Sequence, residues 1–312
     1  MKIGYIFPGQ GTQTVGMGKD IYEKYEEAKD VYKKIDDILG ENIEKLTYEE
    51  SQEELNQTKN TQITIYAMSM AILEILNKKG IKADAAAGLS LGEYSALTYA
   101  GAISLEEGAK IVKTRGTLMQ ELAPQGEWAM AAIIGLEDEK VEEACSKVDE
   151  GFVRAVNYNC PGQVVVSGEK EAVAKAMEIA KELGARKVIE LKTSGPFHTE
   201  KLQEASKELK KELEQITFNS CNIPVIKNFD GMPYSENDNM VEILANHVIN
   251  PVKFRKSIET MLDMGIDTFV EIGPGKTLSG FVKKVCKEKE VEANVLNIEN
   301  VETLENALEI LK

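Results

Sequence analysis

Positive charge, histidine and long apolar runs are all scarce in this chain of 312 residues. Thirty-seven Lys and Arg stand against 52 Asp and Glu, a formal net charge of −15. Sequence-independent nucleic-acid binding needs a net-basic face that releases counterions, and a polybasic membrane-surface protein needs the same sign. The balance argues against both partners. No stretch approaches the ~18 consecutive apolar residues of a spanning helix. The longest run, Trp128 to Leu136, has the length of a buried strand. Four cysteines (Cys145, Cys160, Cys221, Cys286) lie far apart with no CxxC, and read as free thiols of a reducing cytoplasm. The two histidines, His198 and His247, form no HExxH or paired Cys/His pattern, so no metal site is expected. The opening MKIGYIFPGQG breaks at Pro8 after too short an apolar run for a signal peptide.

What the chain does have is alternating strand and helix signals, the mark of an α/β fold. Lys2–Phe7 reads as a short strand. Residues 19–40 place Ile21, Tyr25, Ala28, Tyr32, Ile35 and Leu39 three and four apart, which predicts one helix with an acidic outer face. Thr61–Lys79 is apolar nearly all round and reads as a buried helix stopped at Gly80. Over 126–196 the order becomes β-α-β-β-α-β, with Asn159-Cys160-Pro161-Gly162 as the central turn, a ferredoxin-like pattern.

Three glycine clusters invite a chemical reading. Gly9-Gln10-Gly11 follows a strand, but a dinucleotide-binding loop needs a third glycine where Thr14 stands. Gly273-Pro274-Gly275-Lys276-Thr277 ends like a phosphate loop, yet Val270 occupies the position of its first glycine; a tight strand-to-helix turn remains. Gly88-Leu89-Ser90-Leu91-Gly92 is more specific. It matches G-x-S-x-G between a small-residue strand and a helix, the setting of a nucleophile elbow. Such a turn lifts the serine hydroxyl to the sheet edge and aims the Leu91 amide where an oxyanion develops.

A serine nucleophile needs a base. His198 follows Ser194-Gly195-Pro196-Phe197 at the exit from the small subdomain, where a cleft is expected, and is the preferred base. His247, on a helix-like segment, reads as structural. An ordinary α/β-hydrolase has an Asp or Glu between serine and histidine in chain order. Asp138 and Asp149 are on offer, and a dyad oriented by a backbone carbonyl is the alternative. Arg115, one helix beyond Ser90, reads on its own as a surface arginine. The expected architecture is an α/β-hydrolase-like core over 1–125 and 197–312, with a ferredoxin-like (βαββαβ) subdomain inserted at 126–196.

Taken together, these residues resemble the malonyl-CoA:acyl carrier protein transacylase family, the acyltransferases of bacterial fatty-acid synthesis. Phe7-Pro8-Gly9-Gln10-Gly11 looks like its FPGQG motif, and Gly88-Leu89-Ser90-Leu91-Gly92-Glu93 is similar to its GHSLGE elbow. Arg115, Asn157-Tyr158-Asn159-Cys160-Pro161-Gly162-Gln163, Pro196-Phe197-His198 and Glu271-Ile272-Gly273-Pro274-Gly275 follow in the family's order, over essentially the whole chain. The resemblance implies that Ser90 attacks the thioester of malonyl-CoA with His198 as base, and that the amides of Gln10 and Leu91 form the oxyanion hole. Arg115 would clamp the malonyl carboxylate, Phe197 would favour malonyl over methylmalonyl, and the His247 carbonyl would orient the imidazole. It implies no tightly bound cofactor, and acyl carrier protein as the partner receiving the acyl group. A cytoplasmic monomer is expected. Two residues depart from the family pattern: Leu89 where histidine is usual, and His247 where glutamine is usual. A stand-alone acyltransferase of a polyketide synthase would carry the same motifs. A serine thioesterase is the alternative in another reaction class.

The acidic balance then has a second meaning, because coenzyme A and the carrier proteins are themselves anionic. Attraction must be local. Residues 181–211 hold eight Lys and Arg against five Glu, whereas 19–60 hold seven Lys against thirteen acids. Arg186, Lys187, Lys192 and Lys201 are therefore the expected docking rim.

Overall fold

The computed structural model describes residues 1–192 and 195–312; Ser194, read above as part of the approach to His198, lies outside the described residues, as does Thr193. Among the described residues the strands are β1 (Ile3–Phe7), β2 (Ala85–Gly88), β3 (Trp128–Ile134), β4 (Val153–Cys160), β5 (Gln163–Glu169), β6 (Lys187–Glu190), β7 (Val225–Ile226), β8 (Thr268–Ile272) and β9 (Asn294–Ile298).

They form two sheets. The first is parallel, in the order β7-β2-β1-β8-β9. Strands of a parallel sheet covered on both faces must be apolar throughout, and β1, β2 and β8 are buried at every position. The helix Thr58–Lys78 crosses between β1 and β2 and is buried around nearly its whole circumference, as its all-round apolar pattern predicts. The second sheet is antiparallel, in the order β4-β5-β3-β6, with the helices Asp138–Ser146 and Lys170–Glu182 supplying the βαββαβ order of a ferredoxin-like unit. Val141, Ala144, Val173 and Ala176 of those helices pack on Ala131, Ile133, Val164 and Val166. The opposite face, with Met130, Ala132 and Val165, joins the core of the parallel-sheet unit. Hydrogen bonds also tie β4 across, Tyr158 N–H to Val252 O at 2.9 Å and Val252 N–H to Val156 O at 2.8 Å.

Two local expectations are corrected. The single helix expected over 19–40 is two, Lys19–Lys24 and Glu26–Leu39, separated by Tyr25 in extended conformation (φ −111°, ψ 121°). The first piece is held to the C-terminal helix Val301–Ile310: Asp20 accepts from the Val301 N–H at 2.7 Å, and Lys24 pairs with Glu305. The second lays Ala28, Val31, Tyr32 and Ile35 on the core. Apolar spacing runs straight through a one-residue break that serves two different neighbours. Asn159 and Cys160 are also not turn residues. They belong to β4, and Pro161-Gly162 alone makes the turn.

No helix among the described residues is long and apolar enough to cross a membrane.

Candidate active site

The elbow follows β2, and its glycines are required by close approach. A Cβ on Gly88 would lie 1.9 Å from the Gly92 carbonyl carbon, and one on Gly92 2.2 Å from the Phe7 oxygen. Gly9 is under the same constraint, its missing Cβ lying 2.6 Å from the Leu89 oxygen. This brings the chain at Gln10 against the elbow. Between the two glycines Ser90 adopts a left-handed conformation (φ 54°), and His198 does the same (φ 61°). Non-glycine residues pay about 1–3 kcal/mol for such backbone, which persists only where the surroundings over-determine it.

Ser90 Oγ lies 2.8 Å from His198 Nε2. The other ring nitrogen, Nδ1, faces the main-chain oxygens of His247 at 2.9 Å and Asn250 at 3.2 Å. Carbonyls only accept, so Nδ1 carries the proton and Nε2 presents its lone pair to the Ser90 hydroxyl. Among the described residues no carboxylate takes part. Asp138, one of the carboxylates on offer, is 3.8 Å from Arg255, and Asp149 is exposed on the rim of the antiparallel unit. Burial first, then the Arg115 charge, pull the His198 pKa down to about 4, against an opposing pull from the two carbonyls.

Arg115 overturns its surface reading: its side chain is completely buried. Its helix, Leu105–Glu121, carries it beneath Ser90, where Nη2 donates to Ser90 Oγ at 3.0 Å and Nη1 to Gln62 Oε1 at 2.6 Å. The guanidinium also lies 5.5 Å from the centre of the Tyr94 ring. Among the described residues its Nε–H has no partner and no carboxylate pairs with it. A buried cation with no hydrogen-bonded carboxylate is costly, and the nearby Glu93 offsets only part of the burial that lowers the Arg115 pKa.

The pocket above Ser90 lies between the two sheets. Gln10, Leu91 and His198 come from the parallel-sheet unit; Met130, Asn157, Val165 and Leu191 come from the antiparallel unit and its exit. Met119, Leu89 and Phe197 complete an apolar wall. Among the described residues neither the Gln10 nor the Leu91 backbone N–H donates to a protein acceptor, and the Gln10 side chain is anchored on Thr58 Oγ1 at 3.1 Å. Of the four expected docking cations, Lys192 adjoins the pocket residue Leu191, and Lys201 is on the short turn after His198 with Nζ 4.7 Å above the Phe152 ring. Lys187 begins edge strand β6 and Arg186 directly precedes it, further along the same unit.

Three neighbours escaped the sequence reading. Gln62, which fixes Arg115, stands in a helix read as apolar, and a buried polar residue there was its only signal. Asn228 follows the two-residue strand β7 and accepts from the Ser90 N–H at 2.7 Å. Asn157 sits in a recognised motif but had no role assigned to it. The Glu271 motif, by contrast, is architectural: the buried carboxylate accepts from the Leu278 and Ser279 N–H groups and caps the helix Thr277–Lys289.

The model of the acyl transferase domain family matches residues 4–306. The malonyl CoA-acyl carrier protein transacylase of Bacillus subtilis is 42% identical over 313 residues, covering 100% of this chain and 98% of that protein. The Escherichia coli K12 protein of the same name is 40% identical over 286 residues, covering 91% and 93%. Among solved structures, malonyl CoA-acyl carrier protein transacylase from Clostridium perfringens superposes with a TM-score of 0.94 at 46% identity, covering 100% of this chain and 97% of that one. A malonyl-transacylase in complex with its type II PKS acyl-carrier protein gives 0.94 at 35% identity, covering 99% and 100%. Elbow, buried arginine, fold and full-length similarity agree: this chain belongs to the acyl transferase family, among the malonyl CoA-acyl carrier protein transacylases.

Proposed function

We propose that the protein transfers the malonyl group from malonyl-CoA to the phosphopantetheine thiol of acyl carrier protein, supplying fatty-acid elongation. The observation that carries this reading is the completely buried Arg115, lacking a carboxylate partner and 3.0 Å from Ser90 Oγ. A free carboxylate on the acyl group fits that guanidinium bidentately, and acetyl does not.

In this scheme His198 Nε2 takes the Ser90 proton as Oγ attacks the thioester carbonyl. The N–H groups of Gln10 and Leu91 receive the oxyanion, and the tetrahedral adduct collapses to a malonyl-serine ester as His198 returns the proton to the departing coenzyme A thiol. The carrier thiol then enters, is deprotonated by His198, and takes the malonyl group as Ser90 regains its proton. Phe197 narrows the pocket beside the malonyl α-carbon. No group beyond the malonyl thioester and the carrier thiol is called for. In this reading the pocket is walled by a division into 1–125 with 197–312 and the insert 126–196, and the protein works as a monomer. A thiol-retaining cytoplasm is the compartment these substrates imply.

A neutral His198 makes a pH prediction. The base is active when unprotonated, so kcat/KM for malonyl loading stays level as pH falls from neutrality and drops only near its pKa of about 4. Replacing Arg115 by alanine removes a charge that holds this pKa down, and moves the acid limb to higher pH. Stopped-flow loading across pH checks both. An acid limb at the ordinary histidine value of 6.5 contradicts the lowered pKa and leaves His198 as the base.

The 35%-identical malonyl-transacylase bound to a type II PKS carrier favours a second reading with the same chemistry, service to a polyketide carrier. Labelled malonyl-CoA tests both: the protein should load, then discharge faster to the cell's fatty-acid carrier than to a polyketide carrier domain. The reverse order assigns the second reading. Charge reversal at Arg186, Lys187, Lys192 and Lys201 should slow the discharge at low salt and leave loading from malonyl-CoA unchanged. Unaltered discharge excludes these residues as the docking rim.

A further inference from the structure

Beneath the elbow lies a buried polar network that the proposed chemistry does not use. Asn228 is its hub and is fully buried. Its Nδ2 donates to the Gly88 oxygen at 2.6 Å, and its Oδ1 accepts from the Ser90 N–H at 2.7 Å. A single carboxamide thus holds the chain on both sides of Leu89 and ends on the residue with left-handed backbone. The same Oδ1 lies 3.2 Å from His247 Nε2. His247, 2% exposed, is therefore linked to both reacting residues, to one directly and to the other through Asn228: its main-chain oxygen accepts from His198 Nδ1, and its imidazole donates to the carboxamide that holds Ser90.

The proton positions follow from the partners. An amide oxygen only accepts, so His247 Nε2 carries the proton and Nδ1, which has no partner, does not. Burial above all, with the Arg115 charge beside it, keeps this imidazole neutral, so its 3.9 Å approach to Glu93 is not an ion pair. Glu93 instead accepts from the Asn228 N–H at 3.0 Å and from the Tyr234 hydroxyl at 2.6 Å, fixing the hub from behind.

Strained backbone at Ser90 relaxes unless its surroundings forbid it, and Asn228 makes the hydrogen bonds that do so. We infer that the Asn228 carboxamide and the His247 imidazole form a positioning clamp, which locks Ser90 in its left-handed conformation and sets its distance to His198. This rests on the reading of Ser90 and His198 as the reacting pair, and gives the histidine that replaces the family's glutamine a side-chain role. Neither residue touches substrate. Both act through Ser90.

The test compares Asn228→Ala, His247→Ala and His247→Gln with Ser206→Ala, which removes a buried hydrogen bond to Ala245 on the same helix as His247 without touching the clamp. Each variant is assayed for kcat and KM of malonyl loading, for labelling of Ser90 by a fluorophosphonate, and for Tm. Displacement of a reacting group by an ångström or so costs on the order of 100-fold, so Asn228→Ala should lose about that in both kcat and labelling, with KM nearly unchanged. His247→Ala should lose about 10-fold, and His247→Gln, which keeps an N–H donor, should recover most of it. Ser206→Ala should lower Tm and leave both rates intact. The clamp is overturned if His247→Ala keeps the wild-type rates, if His247→Gln folds but fails to rescue, or if the rates merely follow Tm across all four. Should Asn228→Ala fail to fold, the His247 pair decides. A wild-type protein that labels but does not load malonyl refutes the substrate assignment and leaves the labelling comparison to judge the clamp; one that does not label at all refutes both.

Discussion

Arg115→Ala is expected to lower malonyl loading by about a thousandfold while acetyl loading stays within about tenfold of the wild type, because removing one partner of a buried charge pair costs about 3–5 kcal/mol. In the wild-type protein an acetyl group leaves the guanidinium buried and unpaired, and a malonyl group does not. The variant erases that difference. Part of the effect falls on both substrates, since Nη2 also donates to Ser90 Oγ at 3.0 Å, which is why acetyl loading moves at all. Lysine at this position is not a conservative replacement: it offers one compact charge where two aligned donors are needed, and it would leave Gln62 Oε1 to find another partner. Competition of labelled malonyl-CoA and acetyl-CoA for the enzyme measures the ratio directly. Equal losses for both acyl groups would show that Arg115 supports the fold of the elbow and does not select the substrate.

Ser90→Ala is expected to abolish the malonyl-enzyme adduct seen by intact mass and to reduce turnover by a factor of about a thousand or more. His198→Ala should come close to the same loss, and the double variant should be little worse than either. Residues that act as one unit lose their joint contribution when the first is removed. The 2.8 Å approach of Oγ to Nε2 and the two carbonyls on Nδ1 are the physical basis of that unit. A residual adduct on the Ser90→Ala protein would place the nucleophile elsewhere.

The legible parts of the molecule were those written in local chemistry. Gly88 and Gly92 announced the elbow, since only glycine tolerates carbonyl carbon and oxygen about 2 Å from where a Cβ would be. The βαββαβ order was plain because each of its elements has its own periodicity. The break at Tyr25 was not, because the two short helices it separates answer to different partners, one of them nearly the whole chain away in sequence. Arg115 shows the same limit from the side of function. Nothing within its own helix distinguishes a buried arginine from an exposed one; its burial is decided by Gln62, Tyr94 and Ser90, which reach it from two other segments. Asn228 was silent for a related reason: an asparagine after a two-residue strand reads as a turn residue, and only the fold turns it toward Ser90.

The departures from the family pattern also separate by location. Leu89 lines the pocket and adds to its apolar wall, so the loss of a histidine there changes the lining and leaves the dyad whole. His247 replaces glutamine at a position where the main-chain oxygen does the orienting, a role that survives any side chain.

In the proposed scheme Ser90 passes its malonyl group to a thiol and not to water. Malonyl-enzyme freed of coenzyme A should persist in buffer and discharge within one mixing experiment when carrier protein bearing a phosphopantetheine thiol is added, giving malonyl-carrier and no free malonate. Release of malonate in buffer at the rate seen with the carrier would contradict the claim and make the protein a thioesterase.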